Sequence, residues 1–142
     1  MITGSGLAWL EALGPQKIRP GLSRTRALLL ALGSPETRFR PVLIAGTNGK
    51  GSAAATCAAV LHAAGVRTGL YTSPHLLKVN ERIRLLEEDV DDRRLDEALT
   101  LVAAIAGDGH RAPTYFEAMT IAAFELFRRA RVEVAVVEVA VM

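Results

Sequence analysis

The sequence holds one cysteine in 142 residues, and only 5% of its residues are aromatic. A lone cysteine excludes an internal disulfide framework and a multi-cysteine zinc site. Cys57 is instead expected as a small buried side chain on a helix. The shortage of rings makes any core aliphatic, built from Ala, Val and Leu. No apolar run approaches the ~18 residues that suggest a membrane span. The start, Met1-Ile2-Thr3-Gly4, lacks the basic residues and apolar stretch of a secretion signal. A cytoplasmic protein with no membrane partner is expected. Acids are scarce over residues 1–86, where Glu11, Glu36 and Glu81 face eleven of the 17 Lys and Arg. Seven acids then crowd into residues 87–97. The net charge of +2 is too small to point to nucleic acid, but the basic first half suits small polyanions.

Half the residues are hydrophobic and 23% are charged, which is the balance of a folded domain. Leu7, Leu10 and Leu13 share one helical face that Gly14-Pro15 ends. Ser23 is placed to cap a helix over 24–32, with Leu28, Leu29 and Leu32 inward and Gly33-Ser34-Pro35 as its stop. Val42-Leu43-Ile44-Ala45 is a continuous apolar run, the pattern of a strand buried on both faces. Residues 52–64 are Ala-rich and predict a helix, and 67–72 the next strand. Strand, glycine loop, helix and strand make a βαβ unit and predict a parallel sheet. Further on, 82–85 alternates as a short strand. Asp91 or Asp92 is set to cap a helix to about Ala106. Thr114 and Glu117 have the spacing of a capping box for a helix over 115–130. Val132 to Val139 reads as a last strand around Glu138.

Gly46-Thr47-Asn48-Gly49-Lys50-Gly51-Ser52 lies where the first strand meets its helix. Glycines there let the backbone adopt positive φ and approach an anion closely. Successive N–H groups and the positive helix end face that anion. Lys50 adds a full charge, and Ser52 offers a hydroxyl to Mg²⁺. The match to the general phosphate loop is not literal. Gly51 follows Lys50 where Ser or Thr is usual, and Gly46 lies only three positions before Gly49. Glu138 ends a buried strand, at the edge where parallel sheets bind ligands. Buried without a partner it would be costly, and oxygen donors suit Mg²⁺.

From Ala45 to Ser52 the sequence resembles the folylpolyglutamate synthase / dihydrofolate synthase family, within the wider Mur ligase superfamily. Gly69 to Leu76 with Asn80 to Arg84, Pro113 to Glu117, and Val136 to Val139 resemble it too, in order and spacing, from about residue 7 to 139. The resemblance implies an α/β fold, phosphate-loop-containing and mononucleotide-binding, with a mainly parallel sheet. It implies an ATP- and Mg²⁺-dependent ligase that phosphorylates the carboxylate of a folate or dihydropteroate, which L-glutamate then attacks through its amine. Thr47, Asn48, Gly49, Lys50, Gly51 and Ser52 would hold the ATP phosphates, with Lys50 and Glu138 catalytic. Ser52, Ser73 and Glu138 would hold Mg²⁺. Arg19, Pro20, Gly21, Leu22, His75, Arg82, Thr114, Tyr115, Phe116 and Glu117 would line the substrate site. Family members often carry an acid where this chain has Arg19.

The resemblance makes residues 1–142 an N-terminal ATP-binding domain: a helical part over 1–40, the phosphate-loop core over 41–72, and a substrate loop with its following elements over 73–142. Family members continue after the last strand with Gly-Leu-Gly-Gly-Arg, whereas this chain reads Val139-Ala140-Val141-Met142. The expectation is a truncated sheet and a chain inactive by itself. The alternative is a short nucleotide-binding module or an inactive remnant.

Overall fold

The computed structural model describes residues 5–15 and 18–139. In chain order its elements are α1 (Ser5–Leu13), α2 (Ser23–Ala31), β1 (Arg40–Ile44), α3 (Lys50–Ala63), β2 (Thr68–Tyr71), β3 (Ile83–Leu85), β4 (Glu88–Asp89), α4 (Asp92–Ile105), α5 (Tyr115–Arg129) and β5 (Val134–Glu138). Short 3-10 turns occupy Pro35–Arg38, Val79–Arg82 and Gly109–Arg111. The chain groups into two compact units, each made from two segments. One joins Met1–Glu36 to Asp91–Leu126, the other Thr37–Val90 to Phe127–Met142.

The first unit is helical. Leu10, Leu28, Leu29, Leu95, Leu99, Val102, Met119 and Ile121 are buried in it. α1 crosses α4 closely at Gly6, where a Cβ would lie 2.5 Å from the Asp96 carbonyl oxygen and 2.6 Å from the Thr100 nitrogen. Only a residue without a side chain fits there. The Asp96 carboxylate accepts from the Gly6 and Leu7 N–H groups at 2.8 and 3.0 Å, so α4 supplies the cap that α1 lacks locally. Asp91 caps α4 itself by accepting from the Arg94 N–H. The expected cap at Ser23 does not form. α2 starts one residue earlier with Leu22 at the cap position and no side-chain bond, because Ser23 is already helical.

The second unit is a five-stranded sheet in the order β1-β5-β2-β3-β4. β1, β5 and β2 are parallel; β3 and β4 add to β2 antiparallel. The sheet is therefore mainly parallel. α3 packs Ala54 and Ala58 on Leu70 and Val136, with Val42, Ile44, Cys57 and Leu61 around them. Two alanines on the contact face let the helix sit close to the strands. On the opposite face of β2, Gly69 leaves room for the Phe127 ring, which meets Phe39 edge-on at 5.5 Å.

Two details differ from the sequence reading. β1 is not buried on both faces: Leu43 is 63% exposed, because β1 pairs only with β5 and lies at the edge of the described sheet. β4 was not expected, since two residues carry no alternation to read.

Candidate functional site

The parallel pairing places three segments at one edge. β1, β5 and β2 all run the same way, so the glycine loop, the Glu138 end and the 72–78 loop leave at their carboxyl ends. Open parallel sheets bind ligands at that edge.

Gly46 and Gly49 have φ of 153° and 74°, both in the region that favours glycine. Gly49 is the cap residue of α3 and makes no side-chain cap bond. The helix thus begins at Lys50, two residues before the expected start, and its first N–H groups have no partner within the helix. Thr47, Asn48, Gly51 and Ser52 are exposed around this helix end.

Glu138 is brought to the same place. In register it pairs with Ile44, the last residue of β1. Its carboxylate is 7% exposed and lies over Gly51, where a Cβ would stand 3.6 Å from Oε1. Lys50 turns toward it. Its Nζ is 3.9 Å from Glu138 Oε2 and donates to the Val139 carbonyl at 3.2 Å. At 3.9 Å the pair is an ion pair without a hydrogen bond, so the carboxylate oxygens keep free acceptor positions. Among the described residues no three His, Cys, Asp or Glu gather as a metal cluster. One buried carboxylate with free acceptor positions still fits a hard cation such as Mg²⁺, which keeps waters and takes few protein ligands.

Beyond β2 the chain passes Ser73 and a cis Ser73–Pro74 peptide. The Thr72 N–H donates to the Arg82 carbonyl at 2.9 Å, which closes the loop at its base. Arg82 Nε donates to His75 Nδ1 at 2.8 Å, so Nδ1 is the unprotonated nitrogen and Nε2 the one left for a ligand. Glu81 organises the rest. Its carboxylate accepts from the N–H groups of Leu76 (2.7 Å), Leu77 (3.1 Å) and Lys78 (3.0 Å). The Leu76 bond, with that of Lys78 next, holds its pKa below the ordinary glutamate value. Leu76 and Leu77 are thereby held 91% and 89% exposed.

The remaining candidates lie in the helical unit. Thr114 and Glu117 form the expected capping box, with N–H to carboxylate at 3.0 Å and N–H to hydroxyl at 3.1 Å. Glu117 also receives a two-point grip from Arg24, at 3.1 Å from Nε and 2.8 Å from Nη2. The two rings after Thr114 divide: Tyr115 is 3% exposed and Phe116 43%. Arg19 donates from Nη1 to the Ala112 carbonyl at 2.9 Å, and Arg24 Nη2 donates to the Arg19 carbonyl. Pro20, Gly21 and Leu22 are exposed between them.

Two organising residues escaped the sequence reading. Arg24 had no signal, because its partner is 93 positions away. Glu81 had one: a carboxylate three to five residues past a run of free N–H groups reaches back to them as a capping residue does.

No family model matches the chain. Among curated proteins it is 41% identical over 123 residues to folylpolyglutamate synthase of Lacticaseibacillus casei, covering 83% of this chain and 29% of that protein. It is 34% identical over 135 residues to dihydrofolate synthase/folylpolyglutamate synthase of Escherichia coli, covering 95% and 32%. Among solved structures, folylpolyglutamate synthase of Thermotoga maritima superposes with a TM-score of 0.88 at 36% identity, covering 96% of this chain and 33% of that one. The bifunctional synthase of Yersinia pestis, complexed with AMPPNP and Mn, gives 0.85 at 34% identity and covers 99% and 34%. The chain spans about a third of the length of these relatives.

Proposed function

From a chain that belongs to the folylpolyglutamate synthase / dihydrofolate synthase family, we infer the N-terminal, ATP-binding part of a ligase that joins L-glutamate to a folate or dihydropteroate. The reading rests on the glycine loop between β1 and α3 with buried Glu138 across it. The amides of residues 47–52 receive the β- and γ-phosphates of ATP, and Lys50 leaves Glu138 to neutralise them. Ser52, Ser73 and Glu138 hold Mg²⁺, which when bound supplies positive charge to the transferring phosphoryl group.

A bare carboxylate is a poor electrophile. Transfer of the γ-phosphoryl group to the substrate carboxylate releases ADP and leaves an acyl phosphate. The glutamate amine attacks that carbonyl, an amide forms, phosphate departs, and the amine proton goes to water. The protein's part is positioning and charge neutralisation. Phe116 offers the exposed aromatic face that a flat heterocycle needs, while buried Tyr115 and the Thr114–Glu117 box hold the segment. Arg19 to Leu22 and the His75–Arg82 pair are the other substrate contacts.

By itself the 142-residue chain binds nucleotide and does not complete ligation. The test is calorimetric titration of the chain with AMPPNP and Mg²⁺. Saturable binding that Lys50→Ala weakens at least tenfold supports the reading; absence of binding, or an unchanged constant in the variant, overturns it.

A further inference from the structure

The helical unit contains a cleft that shares only Arg19 with the ligase reading. It has a volume of about 680 Å³ and lies between one face of α2 and the segment that follows α4. That size is within the range of small-molecule sites, ~300–1,000 Å³. Ala27, Leu28, Ala31 and Ile105 give it an apolar wall, and Arg19, Arg24, Arg111 and Ser23 give it a polar one. No acidic residue is among the described residues that line it.

The arginines are held in place. The Arg24 guanidinium uses Nε and Nη2 on Glu117 and on the Arg19 carbonyl, which leaves Nη1 for a ligand. Glu117 balances the Arg24 charge, and Arg111 adds another that no lining carboxylate offsets. The Arg111 stem lies across Gly107. A Cβ at 107 would stand 2.6 Å from Arg111 Cβ and 3.1 Å from its Cδ. Glycine at 107 is therefore what lets this arginine sit in the cleft.

We propose that this cleft binds a small organic carboxylate, its carboxylate on the arginines and its apolar body against Ala27, Leu28, Ala31 and Ile105. A planar guanidinium fork matches a carboxylate, and a bare inorganic anion would leave the apolar wall unused. The proposal does not rest on the ligase reading: none of its residues belongs to the glycine loop, and of the residues given to the substrate site only Arg19 lines the cleft.

The test is an NMR titration of the chain with benzoate, acetate and inorganic phosphate, following the amides of Ser23, Ala27 and Arg111. Benzoate is expected to give saturable shifts there, with an apparent Kd at least fivefold below those of acetate and phosphate. Arg111→Ala removes the guanidinium, and Gly107→Ala displaces it; each raises the benzoate Kd at least fivefold. Arg93→Ala, an exposed α4 arginine paired with Glu97, leaves it unchanged. Shifts that do not saturate, a preference for phosphate, or an Arg111→Ala chain that titrates like the parent overturns the proposal.

Discussion

At the scale of single residues, Glu138 sets the terms at the carboxyl edge of the parallel strands. A carboxylate 7% exposed needs a counter-charge, and Lys50 at 3.9 Å is the one cation paired with it among the described residues. Removing either partner leaves a buried charge alone, which is costly. Glu138→Gln keeps the shape and removes the charge. In calorimetric titrations it is expected to abolish the Mg²⁺ dependence of AMPPNP affinity, whereas an unchanged dependence excludes Glu138 as a metal ligand. Gly69 makes a purely steric case. A Cβ there would lie 2.6 Å from the Phe127 ring, so Gly69→Ala overpacks the unit and is expected to cost about 1–3 kcal/mol in urea unfolding. The sequence marks the 46–52 turn plainly, because Gly46 and Gly49 adopt their positive φ without help from distant residues. It marks Gly69 not at all, since Phe127 is distant in the chain.

At the scale of elements, helix starts were legible where the cap is local. Thr114 with Glu117 forms as its spacing predicts, and of the two candidates Asp91 and Asp92 it is Asp91 that caps α4, accepting from the Arg94 N–H. Thr114→Ala should cost about 1 kcal/mol of stability, read by thermal or urea unfolding. α1 is different, because its cap is Asp96 from another helix. The 72–78 loop adds a pH response. Glu81 has a depressed pKa in the folded chain, so its bonds to Leu76, Leu77 and Lys78 contribute stability above the unfolded value, ~4.3. That contribution is lost as pH falls through the folded value. Amide exchange at 76–78 is expected to quicken relative to the hydrogen-bonded strands β2 and β5 as pH falls below the unfolded glutamate value, and Glu81→Gln should show fast exchange at neutral pH. Equal protection in the variant would rule out the carboxylate as the organiser.

At the scale of the whole molecule, each compact unit is built from two separate segments, and the last turn of α5 belongs with the sheet. A reading that moves along the chain does not see such grouping, because it depends on which surfaces meet. The same holds for β1. Its apolar run predicts two buried faces, yet Leu43 is exposed at the sheet edge while Leu70, one strand beyond β5, is buried under α3. Leu43→Ser is expected to change stability by less than ~0.5 kcal/mol, and Leu70→Ala to cost about 2–5 kcal/mol. Urea unfolding of both variants checks the strand order. A large loss at Leu43 contradicts the edge position.

The sequence by itself determined the alternation of helices and strands, the glycine loop and the capping box, because each depends on residues within a few positions of one another. Periodicity, glycine φ and side-chain reach are all local. The tertiary structure alone decided that β5 inserts between β1 and β2, which carries Glu138 to Lys50 across 88 positions of chain. It alone decided that Arg24 grips Glu117, that Asp96 caps α1, and that Gly107 makes room for Arg111 beside α2. Those contacts follow from the packing of buried faces, and no short-range pattern encodes which face meets which.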